Sequence, residues 1–342
     1  MNKYKINQVV IYHDETKDVA GRNFKGHILY FVPVKLTVAT HTPLFGFDVN
    51  EYSPQQLLYE KVNGFRNKYS CDGKLHFSQL SGKSWKKYDF AYRHSVDVAI
   101  DSLRHKHQKE FPYPLNCKMA VIFYPKGADW SIYGGDSKKE QKLRHDETLL
   151  RMLLKGAAHF LYDENNQVEV KGIVTDGSPS HRNLNENRII HKLTYGNPTG
   201  NSPLRNYVSF SSDSKISHLP SNHKDYEHAS DEHKAANLLQ ITDLLLGAVM
   251  RSCYYGIKQQ QRLPNIGDEC EKRDIISYPM KEMLDKQKRG GGFVNSGHFK
   301  SFTISEVNFS KDEVNFREVS SKDLSILDED SNQISLFPKS GA

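Results

Sequence analysis

Val9-Val10-Ile11-Tyr12-His13-Asp14-Glu15 decides how the rest of the chain is read. Residues 6–13 alternate apolar and polar as a strand does, and the apolar run Val9–Tyr12 gives way at once to acid. Two further acids hold comparable positions. Asp176 closes Val168-Glu169-Val170-Lys171-Gly172-Ile173-Val174-Thr175, whose β-branched content predicts a buried strand. Asp243 lies inside the apolar helix Leu238-Leu239-Gln240-Ile241-Thr242-Asp243-Leu244-Leu245-Leu246-Gly247. A carboxylate in such surroundings is costly to desolvate unless something pairs with it. If all three meet they raise one another's pKa, and a divalent cation is the natural partner. Each acid alone has an ordinary reading as well: Asp176-Gly177 is a good turn pair, and a helix acid can pair with an arginine.

Working outward, His27–Val38 reads as a second strand. Helices follow over Ser53 to about Asn67, with Pro54 suited to a first helical position, and over Trp85 to about Gln108. Between them Lys74-Leu75-His76-Phe77 is a short strand or loop. Asn116–Tyr124 is a strand, Lys138–Tyr162 a long amphipathic helix, and Ser178-Pro179 opens a helix through about Leu193. Tyr207–Ser211 is a strand, and the helix with Asp243 runs from Ser230 or Asp231 to about Cys253. A helix near Asp274–Lys288 and a strand over Phe299–Phe309 follow, and the echo of Glu306-Val307-Asn308-Phe309 in Glu313-Val314-Asn315-Phe316 suggests paired strands. This order predicts an α/β fold: an RNase H-like mixed sheet flanked by helices, with a helical insert at about 53–110 after the second strand. The domain is expected over 1–319, with a C-terminal extension at about 254–319 and a disordered tail over 320–342.

In that topology the strands bearing Asp14 and Asp176 are neighbours, and Asp243 approaches from the last helix of the core. Ala236, Gln240, Asp243 and Gly247 share one helix face, so Gln240 is expected to support the site; His76 is a second candidate to line it. Nuclease chemistry of this kind uses divalent ions about 4 Å apart, and hard Mg2+ or Mn2+ prefers carboxylate oxygen. Glu15, Asp146 and Glu147 are candidates for a further ligand. Strand alternation points Glu15 to the opposite face, and Glu147 reads as a solvated helix charge.

On these residues the chain resembles the bacterial and phage family catalogued as domain of unknown function 3800, which has an RNase H-like fold. Ile11-Tyr12-His13-Asp14-Glu15-Thr16 matches the family's opening Asp-Glu-Ser motif with threonine for serine, and Gln240-Ile241-Thr242-Asp243-Leu244-Leu245-Leu246-Gly247 matches its closing Gln-x-x-Asp-Leu-x-x-Gly. Leu75-His76-Phe77 and Asp213-Ser214-Lys215 also look like family segments. The resemblance spans roughly 7–305 and implies Asp14, Asp176 and Asp243 as an acidic, metal-dependent nuclease site. The chain departs from the family by a longer segment between Asp213 and the closing helix, which carries His218, His223 and His228; by spacing these read as polar loop rather than ligands.

Composition bounds the partners. A formal charge of +6 and a pI near 8.8 are compatible with a polyanion without demanding one. Lys286, Lys288 and Arg289 before three glycines are the favoured phosphate contacts, because glycine lets a backbone approach closely. The four cysteines form no C-x-x-C pair, which argues against a zinc knuckle or a disulfide framework. No apolar run is long enough to span a bilayer and no signal segment precedes the first strand, so a cytoplasmic location is expected. In the polar tail, Gln333-Ile334-Ser335-Leu336-Phe337 looks like the pentapeptide with which bacterial replication proteins bind the sliding clamp. Gln333, Leu336 and Phe337 would make that contact. The resulting expectation is a metal-dependent nuclease acting on DNA or RNA. Its rivals are a non-catalytic nucleic-acid-binding or adaptor protein on the same fold, or a nuclease subunit of a defence or toxin system that needs a partner.

Overall fold

The structure, a computed structural model, describes residues 7–16, 24–42, 46–82, 84–104, 108–125, 131, 134–162, 167–176, 179–185, 187–191, 208–254, 271–289, 301–309 and 314–318. Its elements are β1 (Asn7–Glu15), β2 (Phe24–Pro33), β3 (Leu36–Thr42), β4 (Gly46–Tyr52), α1 (Pro54–Tyr69), α2 (Asp89–Ser102), β5 (Lys118–Pro125) and α3 (Lys138–Leu161). They continue through β6 (Val168–Thr175), β7 (Val208–His218), α4 (Asp231–Tyr254), α5 (Lys272–Arg289), β8 (Phe302–Phe309) and β9 (Val314–Glu318).

Seven strands form a mixed sheet in the order β7-β6-β1-β2-β5-β8-β9. β1, β2 and β5 are successively antiparallel, while β6 lies parallel to β1 and β7 parallel to β6. β8 adds parallel to β5, and β9 turns back on β8 with Val307 opposite Phe316 and Asn308 opposite Asn315, which is the strand pairing the sequence echo suggested.

Strand alternation sorts the side chains into two cores. Tyr12, Ile28, Tyr30, Val121 and Phe123 face a layer built from α1, α2, α4 and α5. Ile11, Leu29, Phe31, Ala120 and Ile122 face α3 instead. Each such Ile, Leu or Phe removed from water contributes about 1.5–3 kcal/mol, so a one-residue slip of β1 would be heavily penalised. The faces of the residues that follow are thereby determined: Asp14 shares the parity of Tyr12, and His13 and Glu15 that of Ile11.

Three expectations are corrected. The strand read over His27–Val38 is broken: β2 ends at Pro33, with one last bond from the Val34 N–H to the Gln8 carbonyl at 2.8 Å, and the chain then leaves the main sheet to form the β3–β4 hairpin. The insert is therefore a hairpin plus two helices. The helix expected from Ser178 to Leu193 is replaced by a 3-10 turn at Pro179–Asn183 and a π-turn at Asn187–His191. Glu147 on α3 captures the Asn185 N–H at 2.9 Å and the Arg188 guanidinium at 3.2 Å, and these long-range bonds displace a regular helical ladder.

The side chains of Lys286, Lys288 and Arg289 and the whole segment with Gln333, Leu336 and Phe337 lie outside the described residues. No helix among the described residues is long and apolar enough to cross a membrane.

Candidate functional site

β1 and β6 run parallel with His13 opposite Thr175, so the next residues, Asp14 and Asp176, leave adjacent strands at the same level. The Asp176 N–H donates to the His13 carbonyl at 3.3 Å, which holds the two strand ends together. Asp243 projects from α4, which packs on the sheet face that Asp14 occupies. The three acids thus lie at one end of the sheet, near enough for their charges to act on one another, but among the described residues the ligand atoms that all lie within 4.8 Å of one another are those of Glu15, Asp146 and His181, not of these three. Burial lifts the Asp14 carboxyl well above the usual carboxylate range, and the charges of Asp243 and Asp176 lift it further, against a 2.8 Å bond from the Glu15 N–H. Asp243 is also raised by burial, with His76, the Phe77 N–H and Lys74 opposing the rise and Asp176 adding to it.

Each acid is oriented by neighbours. Asp176 accepts the Ser221 N–H at 2.9 Å, the Ser221 hydroxyl, and Lys74 Nζ at 3.1 Å. Asp243 Oδ2 accepts the Phe77 N–H at 2.6 Å and lies 3.4 Å from His76 Nδ1, which also accepts the Ser78 N–H at 3.2 Å. Neither Ser221 nor Lys74 stood out in the sequence. Ser221 sits in a loop with no periodic signal, and Lys74 was visible only as the residue before Leu75-His76-Phe77.

Comparison with protein-family models, with curated proteins and with solved structures finds no match.

Gln240 joins the loops that carry these neighbours. It is fully buried on the face of α4 that bears Asp243. Its Oε1 accepts the Leu75 N–H at 2.7 Å and the Arg66 guanidinium. Its Nε2 lies 2.5 Å from the Ser221 carbonyl and 3.2 Å from His223 Nδ1. One amide therefore ties the Lys74–Phe77 segment to the Ser221 loop. His223 is not the polar-loop residue its spacing suggested: it is buried, meets the His233 ring edge-to-face, and burial together with Arg66 pushes its imidazole down to about 4.

A second group of polar side chains is buried on the opposite face, against α3. His13 Nδ1 bonds Thr175 Oγ1 at 2.7 Å, and His13 Nε2 bonds His27 Nδ1 at 2.9 Å. Burial holds both imidazoles far below the usual histidine range, His27 at about 3, so both are neutral. Thr175 Oγ1 also meets His181 Nδ1 at 3.3 Å. The other nitrogen of His181 faces Asp146 Oδ2 at 3.5 Å and Glu15 Oε2 at 3.7 Å. Glu15 thus faces away from Asp14, as strand alternation requires. Glu147 is corrected: it is buried rather than solvated, and its carboxylate is taken up by Arg188 and Asn185 on the α3 side of the sheet.

Proposed function

We propose that this chain is a metal-dependent nuclease of RNase H-like architecture, with Asp14, Asp176 and Asp243 holding Mg2+ or Mn2+. The observation that carries this reading is that β1, the end of β6 and α4 each bring one acid, Asp14, Asp176 and Asp243, to the same end of the sheet, where burial first and the other two charges second raise the Asp14 carboxyl. The order β7-β6-β1-β2-β5, antiparallel on one side of β1 and parallel on the other, supports the RNase H-like assignment and agrees with the motif resemblance to domain of unknown function 3800.

The donor set fits the ion. All three groups are hard oxygen donors, and the bonds from Ser221, Lys74 and Phe77 orient them while leaving carboxylate lone pairs over. A divalent ion bound there supplies Lewis acidity to a phosphoryl oxygen and lowers the pKa of water. The chain contributes the rest. Ser221 and Phe77 fix the rotamers of Asp176 and Asp243. Lys74 brings positive charge to the place where a phosphate must enter, and His76 offers an imidazole for proton transfer.

The test is cleavage of single- and double-stranded DNA and RNA by wild type, Asp14→Asn and Asp243→Asn, with and without Mg2+ or Mn2+. Metal-dependent cleavage is expected in wild type, with a loss of at least about 100-fold in each variant, the scale for removing one charge-stabilising group at a reacting centre. Equal, metal-independent behaviour of all three would sink the nuclease reading. One observation favours the non-catalytic adaptor as the second reading: Lys74 already gives Asp176 a cationic partner at 3.1 Å. Nucleic-acid binding without cleavage or metal dependence would support it. Inactivity alone with metal binding intact would point to a subunit that needs a partner, as in a defence or toxin system. Recruitment to a sliding clamp through Gln333, Leu336 and Phe337 belongs to the same proposal and is read by clamp binding with and without the tail.

A further inference from the structure

We infer that Glu15, Asp146 and His181 form a second metal site, for a borderline divalent ion of the zinc and cobalt class, on the sheet face opposite the three aspartates. One ligand atom from each residue lies within 4.8 Å of the other two. Ligands bound at about 2.0–2.1 Å in tetrahedral directions sit about 3.3–3.4 Å apart. The His181–Asp146 and His181–Glu15 separations of 3.5 and 3.7 Å are close to that edge.

The bonding state of the atoms is an independent observation. Asp146 and His181 are at most 2% exposed, yet beyond their own 3.5 Å approach to each other Asp146 Oδ2 and His181 Nε2 have no hydrogen-bond partner among the described residues. Buried polar atoms are rarely left so, and two that face each other at 3.5 Å have room for an ion but not for a good hydrogen bond. The surroundings match what a metal-bound imidazole needs. His181 Nδ1 is engaged by Thr175 Oγ1, which turns Nε2 toward the carboxylates. Thr175 is itself held by His13, and His13 by His27.

The donor chemistry separates this site from the first. An imidazole nitrogen with two carboxylates suits zinc or cobalt and is a poor set for Mg2+, which favours oxygen alone. Three protein ligands leave a position for water or another oxygen ligand. The ion would join the end of β1, the turn after β6 and the middle of α3. Those first two elements also carry Asp14 and Asp176, so the second site would brace the strand ends on which the first is built.

The experiment uses the full chain, stripped of metal and titrated with Co2+ in excess Mg2+, with visible absorption and bound metal per chain as readouts. One Co2+ per chain with ligand-field bands is expected in wild type and in Asp243→Asn. His181→Gln should weaken that binding by at least about 100-fold, more than the 10–100-fold typical of losing an outer-shell partner. Glu15→Gln, at the less buried corner, should weaken it as well and covers the case in which His181→Gln does not fold. Wild type that takes up no Co2+ under these conditions overturns the proposal. So does Co2+ binding that survives His181→Gln or Glu15→Gln but is lost in Asp243→Asn, since that ion would belong to the aspartates. Neither result depends on nuclease activity.

Discussion

The ring of Phe77 lies over Gly247 so closely that a Cβ on residue 247 would sit 2.1 Å from Phe77 Cγ. Gly247 is one helical turn beyond Asp243, and Phe77 is the residue whose N–H reaches Asp243 Oδ2 at 2.6 Å. The glycine is therefore part of the site: its missing side chain lets the Lys74–Phe77 segment lie against α4 and deliver its backbone donor. Helix propensity alone would favour alanine here by about 1 kcal/mol. Displacing a packed ring costs about 1–3 kcal/mol and frees Asp243 from its donor. Gly247→Ala is expected to bring no gain in urea midpoint and to reduce the rise in Tm produced by Mn2+. A variant more stable than wild type with an unchanged metal response would show that the contact does not matter.

The raised carboxyls make a prediction in pH. Folded Asp14 and Asp243 hold their protons to a higher pH than the unfolded chain does. Their contribution to the stability of the metal-free protein is complete below about pH 4, the unfolded value, and is lost as pH rises through the folded values. A divalent ion competes with those protons, so its stabilisation grows with pH. The Tm rise on adding millimolar Mg2+ or Mn2+ should be larger near pH 8 than near pH 5. Taking the difference at each pH cancels the acid sensitivity that the buried neutral imidazoles of His13 and His27 bring. Asp14→Asn should raise the Tm of the metal-free protein at the higher pH and abolish the metal response. A metal response that is flat across this range would contradict the mutual repulsion of the acids.

What could be read from the sequence follows the range of the interactions responsible. The placement of Asp14, Asp176 and Asp243 at one end of the sheet could be anticipated because each breaks an apolar pattern where a charge is costly, and that of Gln240 because helical spacing puts it on the face of Asp243. The direction of Glu15 followed from strand parity. The turns at 179–191 were not legible, because a carboxylate some forty positions earlier, Glu147, takes the N–H and guanidinium that a helix would have left alone. The His13–Thr175–His181 group was missed for the same reason. Its members are dispersed in the chain and meet only through the parallel register of β1 and β6.

Gln240 offers the sharpest test of how the site is held. Removing its amide would leave the Leu75 N–H, the Arg66 guanidinium and the Ser221 carbonyl each short of a partner. A buried donor or acceptor left unpaired costs about 1–3 kcal/mol, and more when it is charged. Arg66 is the most exposed to this loss: it is buried, its remaining partners are the Asn237 side chain and backbone carbonyls, and burial already pulls its guanidinium down to about 10. Gln240→Leu keeps much of the volume and none of the bonds, so it should destabilise the fold by about 3 kcal/mol or more in urea unfolding. Both loops that orient the aspartates would then be released together, and metal affinity should fall although no carboxylate has been touched. Substitution without loss of stability or of metal affinity would mean that the Ser221 and Lys74–Phe77 segments keep their places by their own packing.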